Sequence, residues 1–300
     1  MSFQFLKEKK IKKKRIVLLG KSGIISKNLQ NQLKKKKLKF AVYGRSSIDL
    51  SKKKNSKILK KKIKSGDIVI FISSKDPVKT LEMFIENLKI CRVVCEALKN
   101  KKIKQLIYIS SDAIYSDTRN KISEISKTLP NSLHGLMHLL REKILISKFK
   151  KILCILRPTL IYGFGDTHNG YGPNRFINLA LKNKNIKIFG NGEEKRDHIF
   201  IEDVVSVIFK CITNNARGVL NIASGKTYSF KQLAELVMTV CKSNSQIIKL
   251  KRIGPMPHNG YRPFNIHVLK KNFYDIQFNN VRVGLIKYYI KLKNYENRSN

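Results

Sequence analysis

The sequence has no apolar run that approaches the roughly 18 to 20 residues needed to cross a bilayer. Its first residues, MSFQFLKEKKIKKKR, lack the apolar stretch and the small-residue cleavage site of a secretory signal. It has no CxxC pair, and its number of cysteines is odd. We therefore expect a cytoplasmic protein with reduced thiols at Cys91, Cys95, Cys154, Cys211 and Cys241.

Acidic residues are scarce, since 20 Asp and Glu stand against 62 Lys and Arg and give a formal net charge of +42. Such a balance favours nucleic acid or an anionic membrane as a partner. The lysines, however, are spread from Lys7 to Lys293 and are not interleaved with arginine and aromatic residues as on a base-stacking surface. We expect polyanion binding at low salt, without specific recognition of nucleic acid.

Short apolar runs alternate with amphipathic segments through the first half of the chain. RIVLLG, LKFAVYG, DIVIFIS, IKQLIYIS and KILCILRPTLIYG are typical of buried strands. Three of the segments between them are predicted to be helices: KSGIISKNLQNQL, VKTLEMFIENLKICRVVCEALKN and SLHGLMHLLREKILISKF. The segment before DIVIFIS is Lys-rich. This pattern predicts an α/β fold with a doubly wound parallel sheet, covered by helices on both faces.

Gly20 and Gly23 stand in the turn between the first strand and the first helix, followed by Ser26 at the next three-residue interval. Glycine there permits a positive φ and a close approach to a pyrophosphate, which the helix N-terminus then binds. Many such turns are purely structural, but the first turn of an alternating chain favours a dinucleotide. We expect cofactor contacts from Gly20, Lys21, Ser22, Gly23, Ile24 and Ile25.

Two further strand ends are expected to border the cofactor. Arg45 follows the second strand, where an acidic residue would suit NAD and an arginine suits the 2′-phosphate of NADP. Both cofactors remain open, with a slight preference for NADP. Ser73 and Ser74 follow the next strand and are expected to line the same site.

After Gly163 the alternation gives way to FGDTHNGYGPN and to shorter elements. We predict a Rossmann-type NAD(P)-binding domain over residues 11–165, with returning segments near 198–224. Residues 166–197 and 225–300 would form a smaller, discontinuous C-terminal substrate lobe.

Several segments, in the correct order over nearly the whole chain, resemble the extended short-chain dehydrogenase/reductase superfamily, and within it the NAD-dependent epimerase/dehydratase family. The glycine turn matches the family's Gly-x-x-Gly-x-x-Gly with Ser26 in third place, and YISSDAIY matches its serine strand with Ser111 at the serine position. Further matches are LRPTLIYGFGD, GNGEEKRDHIFIEDV, GVLNIASGKTYSFKQLAELV and YRPFNIHVL.

The resemblance implies an epimerase, dehydratase or reductase that transfers hydride between nicotinamide and a nucleoside-diphosphate sugar. In this family a Tyr moves the hydroxyl proton, a Lys four residues later holds the ribose, and a Ser orients the substrate oxygen, the role implied for Ser111. Arg196, and more weakly Arg262, are expected at the diphosphate, because a guanidinium forks onto two oxygens. Asp112 and Tyr115 are expected near the sugar, and a homodimer through the helices near 80–100 and 132–148 is implied.

The Tyr-x-x-x-Lys pair of the family is replaced in SLHGLMHLLRE by two histidines. His134 stands at the Tyr position and His138 at the Lys position, on one face of the helix. An imidazole, with an ordinary pKa of about 6.5, can serve in general acid–base catalysis. His138 can bond ribose hydroxyls but carries no dependable charge at pH 7.

Three interpretations of this pair remain open. The first is an active oxidoreductase with His134 as the acid/base. The second is a regulatory or scaffold protein that binds cofactor and sugar without hydride transfer. A metal site is the third, but the Glu of HExxH is missing and no further His or Cys lies close in sequence, so we expect no metal.

The loop GDTHNGYGPNRF, residues 165–176, is expected on the sugar side of the cleft. It would supply Tyr171, Asn174 and Arg175 to the substrate, with Tyr171 or His168 as a second proton-transfer group. The alternative is that these residues only form the loop.

Overall fold

The computed structural model describes residues 1–6, 14–166 and 169–299 of the chain, with side chains to residue 297. In these ranges the strands are β1 Gln4–Phe5, β2 Ile16–Leu19, β3 Phe40–Tyr43, β4 Ile68–Phe71, β5 Gln105–Ile109, β6 Leu153–Pro158, β7 Leu160–Tyr162, β8 Ile186–Phe189, β9 Lys195–Phe200, β10 Ala216–Ile222, β11 Thr227–Ser229, β12 Ile247–Leu250 and β13 Tyr261–Arg262. The helices are α1 Ile24–Lys35, α2 Asn55–Lys62, α3 Leu81–Leu98, α4 Leu133–Phe149, α5 Pro173–Ala180, α6 Ile201–Thr213, α7 Phe230–Cys241, α8 His267–Asn272 and α9 Val281–Ser299, with 3₁₀ turns at Asp112–Ile114, Lys150–Ile152 and Pro257–Gly260.

Seven strands form the large sheet, in the order β1-β10-β6-β5-β4-β2-β3. All neighbours are parallel except β1, which runs antiparallel to β10. The predicted parallel sheet is confirmed. The chain passes from β2 outward to β3 and then back across β2 to β4, so the strand order reverses between β2 and β4. In open α/β sheets, ligands bind at the carboxyl ends of the strands at such a reversal.

Helices cover both faces of this sheet, as the near-continuous apolar runs predict. On one face Ile16 and Leu18 of β2 pack with α1 and α6, and on the other Val17 and Leu19 pack with α2, α3 and α4. Alternate residues of each strand are therefore buried in two separate cores. This double burial explains why the strands lack polar alternation.

The second half of the chain builds smaller sheets beside the large one. β9 pairs with β7, β11 and β13, while β8 pairs with β12. The prediction of one strand over KILCILRPTLIYG is wrong. After Pro158 the chain leaves the large sheet, with the Thr159 N–H donating to the Ile222 carbonyl, and β7 then joins β9.

The structure differs in detail from the bounds predicted for the Rossmann-type domain. β1 lies before residue 11, the predicted start of that domain, yet it extends the large sheet. β9 lies at the start of the segment near 198–224 that was predicted to return to the domain, yet it belongs to the four-stranded sheet. α6 and β10 pack on or within the large sheet. The five cysteines form no disulfide. Among the helices in the described ranges, none is long and apolar enough to span a membrane.

Candidate functional site

The turn between β2 and α1 lies at the reversal point of the large sheet. Gly20 has φ +123°, and a Cβ there would lie 3.1 Å from the Ser73 nitrogen, so the turn requires glycine for both its conformation and its packing. The Gly20 N–H donates to the Tyr43 carbonyl at 2.8 Å. The ends of β2, β3 and β4 thus meet at this turn.

Ser26 occupies the third position of the glycine pattern without opening the turn. Its hydroxyl is buried and donates to the Gly20 carbonyl at 2.6 Å. Gly23 precedes α1 with no side-chain cap, and no atom lies within 4 Å of where its Cβ would be. A helix N-terminus without a side-chain cap leaves its first N–H groups available to the pyrophosphate of a dinucleotide.

The other residues of the turn divide into exposed and buried groups. Lys21 and Ser22 are exposed, whereas Ile25 packs in the core and Ile24 lies against it. The side chain of Ile25 therefore positions the helix and offers only its backbone to a ligand.

Arg45 follows β3 and is held by an acidic residue of α3. Its guanidinium lies 2.5 Å from a Glu86 carboxylate oxygen, and Lys75 approaches the other oxygen at 2.7 Å. A cavity of about 570 Å³ is lined by these three side chains together with Lys89 and others. The approach of Glu86 to Arg45 was not predicted, because the two residues lie far apart in the chain.

Ser73 and Ser74 connect the end of β4 to α4. The Ser73 carbonyl accepts from Arg141 of α4 at 3.0 Å, and the Ser74 hydroxyl donates to Oδ2 of Asp76. Asp76 in turn faces His134. A continuous line of contacts therefore runs from the glycine turn to the start of α4.

α4 begins where it contacts the segment that follows β5. Ser132 caps the helix by accepting from the Gly135 N–H, and a Cβ on Gly135 would lie 2.1 Å from the Ala113 carbonyl oxygen. Only glycine permits this close approach. It brings His134 beside the Ser111–Ala113 segment, where the Ser111 hydroxyl oxygen accepts from the Ala113 N–H at 3.2 Å.

The two histidines of α4 differ in their surroundings. His134 is about one-quarter exposed, and its Nδ1 lies 3.6 Å from Oδ1 of Asp76, both atoms being buried without a hydrogen-bond partner. His138 is buried, and its Nδ1 is hydrogen-bonded to the Tyr108 hydroxyl at 2.7 Å. Burial, followed by the charges of His134 and Arg141, holds the pKa of His138 well below its ordinary value, so this imidazole is neutral.

Asp76, His134 and His138 offer ligand atoms that all lie within 4.8 Å of one another. The expectation of no metal considered only residues close in sequence, and Asp76 is brought in from the loop after β4. The structure therefore removes one of the two arguments against a metal.

On the opposite side of the cleft, Arg196 and Arg262 are direct neighbours in the pair β9–β13. Arg196 lies 2.7 Å from a Glu194 carboxylate oxygen, while Arg262 donates to Asp112 Oδ2 at 3.0 Å and to Asp117 Oδ1 at 3.2 Å. Their positions in register place the two arginines opposite each other on adjacent strands. Both are already held by carboxylates.

Two residues predicted to contact the substrate, Tyr115 and Asn174, are instead bonded within the protein interior. Tyr115 is buried, with its hydroxyl donating to Asn221 and accepting from Arg157, and its pKa is raised to about 12, chiefly by burial. Asn174 is bonded to the backbone of Gly163 and Ile161. The expectation that Tyr115 and Asn174 touch the sugar is not met, because their polar atoms are used internally.

The rest of the loop before α5 gives a mixed result. The Tyr171 hydroxyl accepts from the Phe189 N–H, and its ring packs against Phe176, Phe189 and Phe230, which does not suit proton transfer to a sugar. Arg175 is exposed. His168 lies outside the described residues.

Residues 16–223 match the NAD dependent epimerase/dehydratase family. The dTDP-D-glucose 4,6-dehydratase of Dictyostelium discoideum is 28% identical over 256 residues, covering 77% of this chain and 57% of that protein. The chain thus spans little more than half the length of that relative. The ADP-L-glycero-D-manno-heptose-6-epimerase of Brachyspira hyodysenteriae is 28% identical over 218 residues, 69% of this chain and 68% of that protein.

Among solved structures, the UDP-glucose 4-epimerase of Thermotoga maritima with UDP-glucose has a TM-score of 0.83 at 16% identity, covering 94% of this chain and 99% of that one. This likeness shows the shared fold. The family match covers well over half of the chain and includes both the glycine turn and the helix of the two histidines. The chain therefore belongs to the NAD-dependent epimerase/dehydratase family.

Proposed function

We propose that this protein is an NAD(P)-dependent epimerase, dehydratase or reductase of a nucleoside-diphosphate sugar, with His134 as the acid/base. The observation that carries the proposal is the line of contacts from Gly20 through Ser73, Ser74 and Asp76 to His134. It joins a turn fitted to a pyrophosphate to a side chain able to move a proton.

The reaction follows from the placement of these groups. Bound NAD(P) supplies hydride transfer to or from a sugar carbon. In the oxidising direction His134 accepts the sugar hydroxyl proton on Nε2, because Nδ1 faces Asp76, and it returns that proton in the reducing direction. The Ser111 oxygen already accepts one N–H, so its own O–H remains to donate to the sugar oxygen.

His138 has a more limited part than the lysine of the family. With Nδ1 bonded to Tyr108, its Nε2 is the atom left for a ribose hydroxyl. It is neutral and supplies no positive charge. Proton transfer by an imidazole at His134 does not need that charge, whereas a phenol would need it to lower its pKa.

We propose NADP as the preferred cofactor and the paired arginines as the diphosphate site. The cavity beside β3 is lined by three cations, Arg45, Lys75 and Lys89, and by the carboxylates of Asp49, Glu82 and Glu86, so the preference for NADP rests on Arg45 at the end of β3. Arg196 and Arg262 lie side by side, and a diphosphate would compete with their present carboxylate partners.

A homodimer is the proposed assembly. α3 and α4 pack against each other and leave Leu81, Ile85, Leu133, Leu136 and Leu140 exposed. On α4 the three leucines recur at intervals of three and four and form an apolar stripe. A second copy would bury this stripe.

One observation favours a second function, a catalytically inactive protein that binds cofactor and sugar. The neutral, buried His138 cannot reproduce the charge of the family's lysine. In such a protein His134 would be a remnant of the catalytic position.

The test is purification followed by nicotinamide fluorescence, dinucleotide titration at several salt concentrations, and turnover of a panel of nucleotide sugars. Saturable, salt-insensitive cofactor binding with turnover supports the enzyme. Binding without turnover, together with turnover by His134→Tyr/His138→Lys, establishes the inactive relative. Polyanion affinity that collapses with salt, without cofactor saturation, overturns both.

A further inference from the structure

Three ligand atoms from two distant parts of the chain meet at the start of α4. Asp76 comes from the loop after β4, and His134 and His138 come from successive turns of the helix. Nδ1 of His134 and Oδ1 of Asp76 face each other at 3.6 Å, and neither has a hydrogen-bond partner. Buried polar atoms without partners are rare in native proteins, and a shared cation would satisfy both.

The atoms that point away from the centre of this cluster are held by other side chains. The Ser74 hydroxyl bonds Oδ2 of Asp76 and leaves Oδ1 facing inward. Tyr108 bonds Nδ1 of His138 and leaves Nε2 for ligation. Carboxylates and imidazoles that bind metals are held by outer partners in this manner, which fixes their orientation.

The distances suit a small tetrahedral cation. Bonds of about 2.0 to 2.1 Å place neighbouring ligand atoms about 3.3 Å apart, and His134 and Asp76 already stand 3.6 Å apart. The full set lies within 4.8 Å, so side-chain movements of about 1 Å close the site. Two imidazoles and one carboxylate, with a fourth position open, form a ligand set typical of Zn²⁺.

We propose that Asp76, His134 and His138 bind one divalent transition-metal cation of the Zn²⁺ type when no dinucleotide occupies the cleft. The two histidines are those assigned to proton transfer and ribose binding, so cation and dinucleotide exclude each other. The cation is therefore an inhibitor of the proposed reaction. The site does not depend on that reaction, because its ligand atoms are in place whether or not hydride is transferred.

The experiment titrates the full-length, tag-free protein with Co²⁺ as a spectroscopic substitute for Zn²⁺. We expect one equivalent to produce visible d–d absorption without a thiolate charge-transfer band, and Zn²⁺ or NAD(P) to abolish it. Asp76→Asn and His134→Gln, which each change a ligand, should weaken Co²⁺ binding by more than about tenfold. Ser74→Ala, which removes the outer partner of Asp76, should weaken it by about tenfold. His267→Gln, which removes an exposed imidazole of α8, is the matched control and should change nothing.

Absence of the absorption, or its persistence in Asp76→Asn, overturns the proposal. Should the variants fail to fold, X-ray absorption of the Zn²⁺-loaded wild type decides instead. Two imidazoles and one oxygen as protein ligands support the site, while sulfur or a single imidazole overturns it. If the protein turns over a nucleotide sugar but does not bind Co²⁺, the metal site is wrong and the proposed enzyme function is unaffected. If it binds Co²⁺ but shows no turnover, the metal site is supported and the proposed enzyme function is wrong.

Discussion

The turn after β2 and the start of α4 border one cleft, but they are built from different parts of the chain. At the turn the binding groups are backbone N–H groups, made available by Gly20 and Gly23. At α4 the groups proposed to act on the substrate and the cofactor are the side chains of His134 and His138. The turn keeps the family pattern apart from Ser26, whereas both side chains on α4 are exchanged.

The glycine turn and α4 are therefore limited by different physical constraints. A backbone site depends on φ and on close contacts, so a Cβ at Gly20 is excluded while Ser26, bonded to the Gly20 carbonyl, is tolerated. A side-chain site depends on position and proton affinity. A different base can therefore occupy the same helical position and keep the same task.

Gly135→Ala changes a close backbone contact on which the position of the His134 side chain depends. The new Cβ would meet the Ala113 carbonyl oxygen at 2.1 Å, so α4 must move by about 1 Å and carry His134 with it. We expect kcat to fall by about 10² with dinucleotide affinity retained, since misplacement of that size is costly. Lys143→Ala, at an exposed position of the same helix, is the control for an alanine in α4. Equal activity of the two variants would contradict the proposed dependence of His134 on Gly135.

His198 is another buried histidine, and the proposed reaction assigns it no role. Burial lowers its pKa from 6.5 to about 4, and its Nε2 has no hydrogen-bond partner. The unfolded chain takes up the proton first as pH falls, so wild type loses stability from 6.5 down to about 4. His198→Phe should remove a loss of up to about 3 kcal/mol, measured by urea unfolding across this range. A pH-independent difference between the two proteins would show that His198 does not titrate in this way.

Gly20→Ala tests the backbone site directly. Positive φ costs a non-glycine residue about 1 to 2 kcal/mol, and the Cβ also meets the Ser73 nitrogen at 3.1 Å. We expect dinucleotide affinity to fall about tenfold or more, measured by fluorescence titration. Gly66→Ala also places a side chain at a positive φ, here +78° and in open space, and it should leave affinity unchanged.

Arg45→Ala and Glu86→Gln have the smallest expected effect and concern cofactor choice. Their exposed ion pair is worth about 0.2 to 1 kcal/mol. Arg45→Ala should lower affinity for NADP relative to NAD by a few-fold, and Glu86→Gln should raise it. Competition titrations with both cofactors measure the ratio, and opposite signs would refute the assignment of the 2′-phosphate to Arg45.

Regular elements were predictable from sequence where local signals agreed. Ser229 caps α7 with a full capping box to Gln232, a start signal that can be read within four residues. α2 was missed, because its single fully buried anchor, Leu59, stands among lysines and gives no clear periodicity. β6 and β7 were joined wrongly because strand composition does not say which sheet a strand enters.

Only those parts of the candidate site that lie within one short stretch of sequence could be predicted. The glycine turn and the exchange at His134 are visible in short segments. Asp76 beside His134, and Glu86 beside Arg45, depend on loops and helices brought together by the sheet. The burial of Tyr115 depends likewise on Asn221 and Arg157, far away in sequence.

The most direct test of the account is the turnover of a nucleotide-sugar substrate by His134→Phe with bound dinucleotide. The substitution keeps an aromatic ring of similar size and removes the proton acceptor. If His134 is the acid/base, kcat should fall by about 10² to 10⁴ while dinucleotide affinity stays at the wild-type value. Full activity of His134→Phe would contradict the role of His134 as the acid/base.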